Sequence, residues 1–550
     1  MNYLQKKKLA FMSIVNQIKG FIRTIIGALP LTLEGCVDEN SIIDYKIYGQ
    51  SVQDGEPTPD NPIEVESVGE KTVNLFNIDS INGLANFDSQ LNGYYSILDG
   101  VIQSKFGVYG SYTFFQCNVK TLAAGQYVLR CDVSYESGGS VYCGLGFTDK
   151  TKIYTFTKVA PSEWTTISYE FELTEDKEIF GIQLQGAGNA ENFKDVKCYF
   201  KNVMLCKKSD DTGVYEPYGK YKIPVTVSGR NLFDEVEASN VNNWTITSTT
   251  GDQAVYDLYL PSGTYTFTNT YIGLPTNSNY SIQIRSAEGT LLRYVCTQAQ
   301  VVSDSVVTRT LSDGEHLRIS IYVPGGNGAR NLIPRLFTEC ISKVLIYEGT
   351  YTSTDIPDYE PYHEPITTNI YLDEPLRKVG DYADYVDFGN GKVVREVGVG
   401  DLTTVADPWI GLVNTPNQNG YYANYYLTNT LADGKMSKGS NLRGYSNFLP
   451  CNTTAIGWNK WNSEQVRFGQ DNTAIYIITA NQMATKADLR GYISNNGEFT
   501  PYIYYILETP TEQSISLPTI PTFKGTSIVS TDTTIQPSNA EIEYYSNAKE

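Results

Sequence analysis

Apolar positions along this chain change their period once. Between residues 3 and 29 they recur at helical spacing. Leu4, Phe11, Ile18 and Ile25 lie seven apart, Ile14, Phe21 and Ala28 fill a second row, and Val15, Ile22 and Leu29 widen the stripe. This predicts one α-helix, ended by Pro30. Its stripe is broader than a two-stranded seam needs, so a bundle of three or more helices fits better. Gly20 and Gly27 each weaken it by about 1 kcal/mol. Beyond Pro30 the period is two. Ile63 to Val68, Gly125 to Val133, Trp164 to Leu173, Ile179 to Leu184, Cys198 to Leu205, Tyr502 to Leu507 and Ala540 to Tyr545 read as strands, with Gly, Asn and Asp clusters between them. Many short strands punctuated by turns predict sandwiches or jelly rolls. The expected class is mostly β, with tandem jelly-roll or β-sandwich modules behind a short N-terminal α-helix.

A frame occurs twice. Asn74-Leu75-Phe76 opens it and Tyr215-Glu216-Pro217-Tyr218 closes it; Asn231-Leu232-Phe233 opens it again and Tyr359-Glu360-Pro361-Tyr362 closes it. Inside, Ser262 to Phe267 echoes Ala124 to Leu129, and Leu317 to Val323 takes the place of Ile179 to Leu184. The order repeats while the loops do not, as expected of a duplicated scaffold. The predicted division is a helix for anchoring or oligomerisation at 1–33, a β connector at 34–70, a first sandwich at 71–218, a second at 219–362, a hairpin connector at 363–398 and a β-rich C-terminal domain at 399–550. Gly55 to Pro62 is too rich in Pro for helix or central strand, and Gly389-Asn390-Gly391 is a hairpin signal.

Composition narrows the functions. The net charge of −19 argues against a nucleic-acid partner, which wants a basic stripe. Tyr, at 42 residues, outnumbers Phe at 21 and Trp at 5, which suits glycan contacts and subunit interfaces alike. Nine Cys with no C-x-x-C spacing read as free thiols of a chain made in a reducing cytoplasm, not as a disulfide framework or zinc site. No uncharged apolar run reaches the length of a membrane span. Lys6-Lys7-Lys8 before Leu9 to Val15 imitates a secretory signal, but Lys19 and Arg23 interrupt the run and no cleavage site follows, so none is expected. The helix carries only basic charges, and its readings are self-association or docking into a larger particle, docking on its own chain, and a membrane surface.

No enzyme signature emerges. His316 and His363 are the only histidines, one in a polar turn and one at a module end, and both read as solvated or locally bonded. Zinc-hydrolase and phosphate-loop motifs are missing, and no metal or cofactor is expected. A glycosidase needs only two carboxylates, and among 61 acidic residues none stands out. Binding is the better class, because flat aromatic faces beside polar side chains match the C–H faces and hydroxyl edges of sugars. Trp458 and Trp461, in Trp458-Asn459-Lys460-Trp461-Asn462, are the leading glycan candidates, followed by Trp409 and Trp244; each could instead pack on its own sandwich. Leu4, Phe11, Ile14, Ile18, Phe21 and Ile25 are the candidates for oligomerisation.

The set of motifs resembles phage and prophage tail proteins of Gram-positive hosts that carry carbohydrate-binding-module-like jelly rolls. The two frames bear the resemblance, with Leu372 to Arg377, Asp384 to Phe388, Tyr504 to Pro510, Leu517-Pro518, Ser530 to Thr533, Pro30 to Leu33 and Ile47 to Ser51. It covers most of the chain and does not fix a position on the particle. It implies a virion component assembled in the host cytoplasm, of tail-fibre, baseplate or receptor-binding type, usually a homotrimer. Its partners would be other tail or baseplate proteins and host cell-wall glycan. A purely architectural virion protein, and a glycan-cleaving tailspike, remain as alternatives.

Overall fold

The computed structural model describes residues 42–545, apart from 86–93, 106–113, 137–138, 187–196, 273–280, 298–305, 428–430, 432, 435, 438–442, 453–459, 470–473, 521–522, 524–526, 532 and 538–539. The helix expected at 1–33, with its oligomerisation residues, lies outside the described residues, as does Trp458.

Strands dominate, as the two-residue period predicts. In the first sandwich one sheet runs Thr165–Leu173, Gly125–Tyr135, Lys197–Lys207, Val101–Lys105, Tyr94–Leu98. The other runs Lys152–Val159, Gly139–Phe147, Lys177–Gly186, Phe114–Gln116, Gly83–Ala85. Alternate side chains of both sheets meet in one apolar core that includes Leu129, Val133, Leu145, Ile182, Leu184 and Phe200. The second sandwich repeats the order. Its larger sheet runs Leu291–Thr297, Ser281–Ser286, Leu317–Tyr322, Gln253–Leu258, Thr245–Ile246, and its smaller one Val307–Leu311, Gly263–Tyr271, Ile341–Glu348. The strands paired by echo in the sequence, Gly125–Tyr135 with Gly263–Tyr271 and Lys177–Gly186 with Leu317–Tyr322, hold the same places in their sheets.

The twice-repeated frame has a physical meaning. Asn74 is buried, and its amide donates to the carbonyls of Val203 (3.0 Å) and Glu216 (3.0 Å). Its Oδ1 accepts from the N–H groups of Phe76 (3.0 Å) and Leu205 (3.1 Å). Asn231 makes the same four bonds, to Val344 and Glu360 through its amide and from Phe233 and Ile346 to its Oδ1. One side chain thus ties the first turn of each sandwich to its last strand and to its closing Tyr-Glu-Pro-Tyr. Asparagine suits the place because it supplies donors and acceptors together.

The expected connectors are corrected by the structure. Among the described residues, those expected in the connectors 34–70 and 363–398 are not independent links, and those of 399–550 are not a self-contained domain. A six-stranded antiparallel sheet runs Gly444–Ser446, Tyr502–Ser514, Lys392–Asp401, Tyr385–Asp387, Ile42–Tyr48, Ala540–Tyr545. A second sheet sets Tyr221–Gly229, the run between the two sandwiches, amid Ile366–Leu372 and Ser527–Thr531, with Glu70–Lys71 at its start. Ile47, Val68, Ile223, Val225, Ile370, Val386, Val393 and Val529 share one buried cluster. The two sandwiches are therefore insertions into a central unit built from distant stretches. Residues 402–501 form a third excursion, from which Gly444–Ser446 returns to the central sheet. It holds the sheet Ile410–Gly411, Tyr422–Leu427, Ala474–Thr479, Gln465–Phe468 and the helix Lys486–Ile493, capped reciprocally by Thr485 and Asp488. Its core includes Ile503 and Tyr505 of the central sheet. Alternation tells a strand which face is wet but not which strand lies beside it, so long-range pairing is invisible to a local reading.

Candidate functional site

Two of the four tryptophans chosen from sequence, Trp244 and Trp461, are structural. Trp244 is buried, its indole N–H donates 2.7 Å to the Ala238 carbonyl, and its ring packs on Tyr256. Trp461 is buried against Ala423 and Ile478, with the Arg467 guanidinium 5.3 Å above its ring, and its carbonyl accepts from the amides of Asn417 and Asn419. Both are withdrawn as glycan platforms. A half-polar indole buries readily once its N–H finds a carbonyl. Trp409 keeps an exposed ring at the end of the turn Asp407–Trp409, which Arg490 braces through Asp407. Trp164, passed over in the sequence, is exposed beneath the Lys201 ammonium, 4.1 Å from its ring centre.

The histidines are local. His316 stands 3.4 Å from Asp257 and packs at a tilt against Tyr259, and His363 stacks on Phe523 at 4.4 Å. Among the described residues no group of three or more His, Cys, Asp or Glu could hold a metal ion, and no helix is long and apolar enough to cross a membrane.

A surface that joins exposed rings to an amide lies on the first sandwich, on the outer side of Lys152–Val159, Gly139–Phe147 and Lys177–Gly186. Odd residues of Gly139–Phe147 (Val141, Cys143, Leu145) point to the core, so Tyr142, Gly144 and Gly146 point out. Register sets Tyr142 between Phe156 and Gln185, and Gly144 between Tyr154 and Gln183. The rings of Tyr142 and Phe156 are 4.6 Å apart and those of Tyr142 and Tyr154 5.4 Å. Phe156 is 53% exposed and Tyr154 36%, although both are large rings on a sheet face. Lys152 brings its ammonium 6.0 Å from the Tyr154 ring. Gly144 leaves room for this: a Cβ there would stand 2.5 Å from Tyr154 Cβ. Further along, Phe114 lies on Gly146 and Gly181, where added Cβ atoms would stand 2.5 Å and 2.8 Å from its own atoms.

Beside the rings are two amides. Gln183 Nε2 donates to Gln185 Oε1 at 3.4 Å. Gln183 is fully buried, and its Oε1 accepts no hydrogen bond among the described residues. A buried acceptor in that condition is costly, but Gln183 has no exposed surface, so the half-buried Gln185 is the amide that this face presents. Rings that offer a flat apolar face, with an amide alongside, can stack on a sugar's C–H face and bond its hydroxyls. Sequence reading missed this site because it searched for tryptophan. The signal present was the alternation of large aromatics along Lys152–Val159, with Tyr154 and Phe156 facing the same way.

Comparison with solved structures finds a likeness to a binding-module tandem. It is the N-terminal CBM22-1-CBM22-2 tandem domain of Xyn10C from Paenibacillus barcinonensis, at 9% sequence identity and a TM-score of 0.20, over 51% of this chain and 99% of that one. No family model matches the chain, and a search of curated proteins finds no match.

The corresponding face of the second sandwich is charged. Arg318 grips Asp257 through Nε (2.6 Å) and Nη2 (3.1 Å), and this bond holds the Asp257 carboxyl below the usual carboxylate range. Register places Arg285 beside Arg318, and Arg285 Nε donates to Gln283. The duplicated scaffold thus presents two different surfaces.

A cleft of about 540 Å³ opens at the central unit, lined by Glu64, Glu66, Glu70, Lys71, Tyr502 and Tyr504 among others. Its groups answer one another. The Tyr502 hydroxyl donates to Glu64 (2.6 Å) and accepts from Val65 N–H (2.9 Å), and Arg377 lies over the Tyr504 ring. These contacts fasten the segment 64–67 to the strand Tyr502–Ser514, which is a structural use of the carboxylate.

Proposed function

We propose that this chain is a non-enzymatic structural protein of a phage particle, a tail-fibre, baseplate or receptor-binding component that attaches the particle to host-surface glycan, and that the first sandwich makes the contact. One observation carries the glycan part: the exposed rings of Tyr154 and Phe156, with the half-buried Tyr142 packed against both and the half-buried Gln185 beside it. Neutral sugar, with C–H faces for the rings and hydroxyls for the Gln185 amide, is the class that such a surface recognises. The particle part rests on the motif resemblance over most of the chain.

The test is retention of the full-length chain on purified Gram-positive cell wall and on neutral polysaccharide gels. Tyr154→Ala and Phe156→Ala together lower affinity at least tenfold while leaving thermal unfolding in place, since both rings are outside the core. Retention unchanged by the double substitution would remove the site. Release of new reducing ends from the wall would instead establish a glycan-cleaving protein.

The exposed rings also favour a second reading, because aromatic side chains of this kind are enriched at subunit interfaces. A purely architectural virion protein would show no wall retention. The mass in solution of the full chain and of one lacking residues 1–33 separates the sources of self-association. A homotrimer that becomes a monomer on truncation assigns assembly to the N-terminal segment. Trimers in both cases assign it to the β modules.

A further inference from the structure

Two thiols face each other across the core of the first sandwich. Cys131 lies in Gly125–Tyr135 of one sheet and Cys143 in Gly139–Phe147 of the other. Their Sγ atoms are 3.7 Å apart, both residues are 0% exposed, and both are free in this structure. A disulfide needs an S–S length of about 2.05 Å, so about 1.7 Å of approach would close the bond. There is slack to supply it, because the ladder between Gly125–Tyr135 and Lys197–Lys207 shifts register at Cys131. Neither thiol has a catalytic or binding task in the face described above, which lies on the opposite side of its sheet.

We propose that Cys131 and Cys143 form a redox modification site, joined in an oxidising medium by a low-molecular-weight disulfide to give a bond that staples the two sheets of the first sandwich. The chemistry is thiol–disulfide exchange. The thiolate of one cysteine attacks a sulfur of glutathione disulfide, forms a mixed disulfide and expels one glutathione thiolate. The second cysteine attacks the protein sulfur of that mixed disulfide and expels the other glutathione. Two protein thiols and one glutathione disulfide become one protein disulfide and two glutathione thiols, the cysteine protons passing to the released thiolates. The reaction belongs to the open, folding sandwich. In the closed one, the Cys143 hydrogen bond and burial push the Cys131 thiol up, and the oxidant has no path. A chain folded in a reducing cytoplasm keeps both thiols, and one folded in an oxidising medium carries the staple. This inference is independent of what the sandwich binds.

The experiment uses the full chain made by cell-free translation, once with glutathione disulfide and once with dithiothreitol. Thiols are alkylated after denaturation and the peptides are mapped by mass. The oxidised sample is expected to carry one cross-link, joining the peptides of Cys131 and Cys143, and so to leave seven of its nine cysteines alkylated. Its first-sandwich unfolding temperature is expected to rise by about 5–10 °C, and to fall back on reduction. Cys143→Ala abolishes the cross-link; if that variant fails to fold, the wild-type peptide map decides alone. Nine alkylated thiols in a folded oxidised sample overturn the proposal, and so does a cross-link from Cys131 to the neighbouring Cys198.

Discussion

Asn74 and Asn231 show how much one side chain settles in each sandwich. Each satisfies two backbone carbonyls and two backbone N–H groups at a buried junction. Removing the amide strands several of those groups, at about 1–3 kcal/mol apiece. Asn74→Ala is therefore expected to destabilise the first sandwich by about 3 kcal/mol or more. Asn74→Asp is expected to cost more, since a carboxylate cannot donate to the Val203 and Glu216 carbonyls. Urea unfolding, followed through the first sandwich's own transition, checks both. The second sandwich carries a pH signature. Arg318 lowers the Asp257 carboxyl in the folded state, so Asp257 contributes stability in full above the unfolded carboxylate range near about pH 4. That contribution disappears as pH falls through the lower folded value. Asp257→Asn is expected to flatten the loss of thermal stability of the second sandwich between about pH 5 and 3, read by calorimetry at several pH values. Both frames were legible as repeated words in the sequence, but their role was not: only the fold brings residue 74 to residue 216.

Elements in the central unit hold together through one buried carboxylate. The strand Lys392–Asp401 bulges against Tyr502–Ser514 between Arg395 and Val397. A bulge leaves ladder N–H groups without their strand partners. Asp384 Oδ1 accepts from the N–H of Glu396 and of Val397, both at 2.9 Å, while Oδ2 accepts from Arg377 N–H and from Arg395 Nη1, both at 3.1 Å. Asp384 is fully buried, so the Arg395 charge would be left without its buried partner in Asp384→Ala. That variant is expected to lose about 3–5 kcal/mol, and Asp384→Asn less, by urea denaturation of the full chain. The sequence marked Asp384 as part of a motif and could not say why, because the bulge that calls for it depends on strand pairing. Element type was easier. Gly125–Tyr135 and Thr165–Leu173 follow from their alternation, whereas the eight-residue helix Lys486–Ile493 is too short for a period to show.

At the scale of the whole molecule, the chain returns to its centre after each excursion. Ile42–Tyr48 pairs with Ala540–Tyr545, and Tyr221–Gly229 pairs with both Ile366–Leu372 and Ser527–Thr531. Cutting between the sandwiches and the C-terminal region therefore breaks one core. A fragment of residues 399–550 is expected to show poor amide dispersion by NMR and to aggregate. Its strand Tyr502–Ser514 loses nearly all of Lys392–Asp401 as a partner, which exposes a long apolar edge. A fragment of residues 71–218 keeps its own two sheets and its Asn74 junction, and is expected to fold alone with dispersed amide signals. A well-folded 399–550 fragment would show that the central strands are dispensable to that region.

By itself the sequence determined the class, the two sandwiches and their common order, because alternation, turn residues and a repeated frame are local or self-similar signals. The tertiary structure decided the rest. It buried Trp244 and Trp461, gathered distant connectors into one sheet, raised Tyr154 and Phe156 beside Tyr142 and Gln185, and set Cys131 against Cys143. Each of these depends on which strands become neighbours and on which side of a sheet is covered. Strand pairing is chosen by the burial of the whole chain, so no window of local pattern contains it.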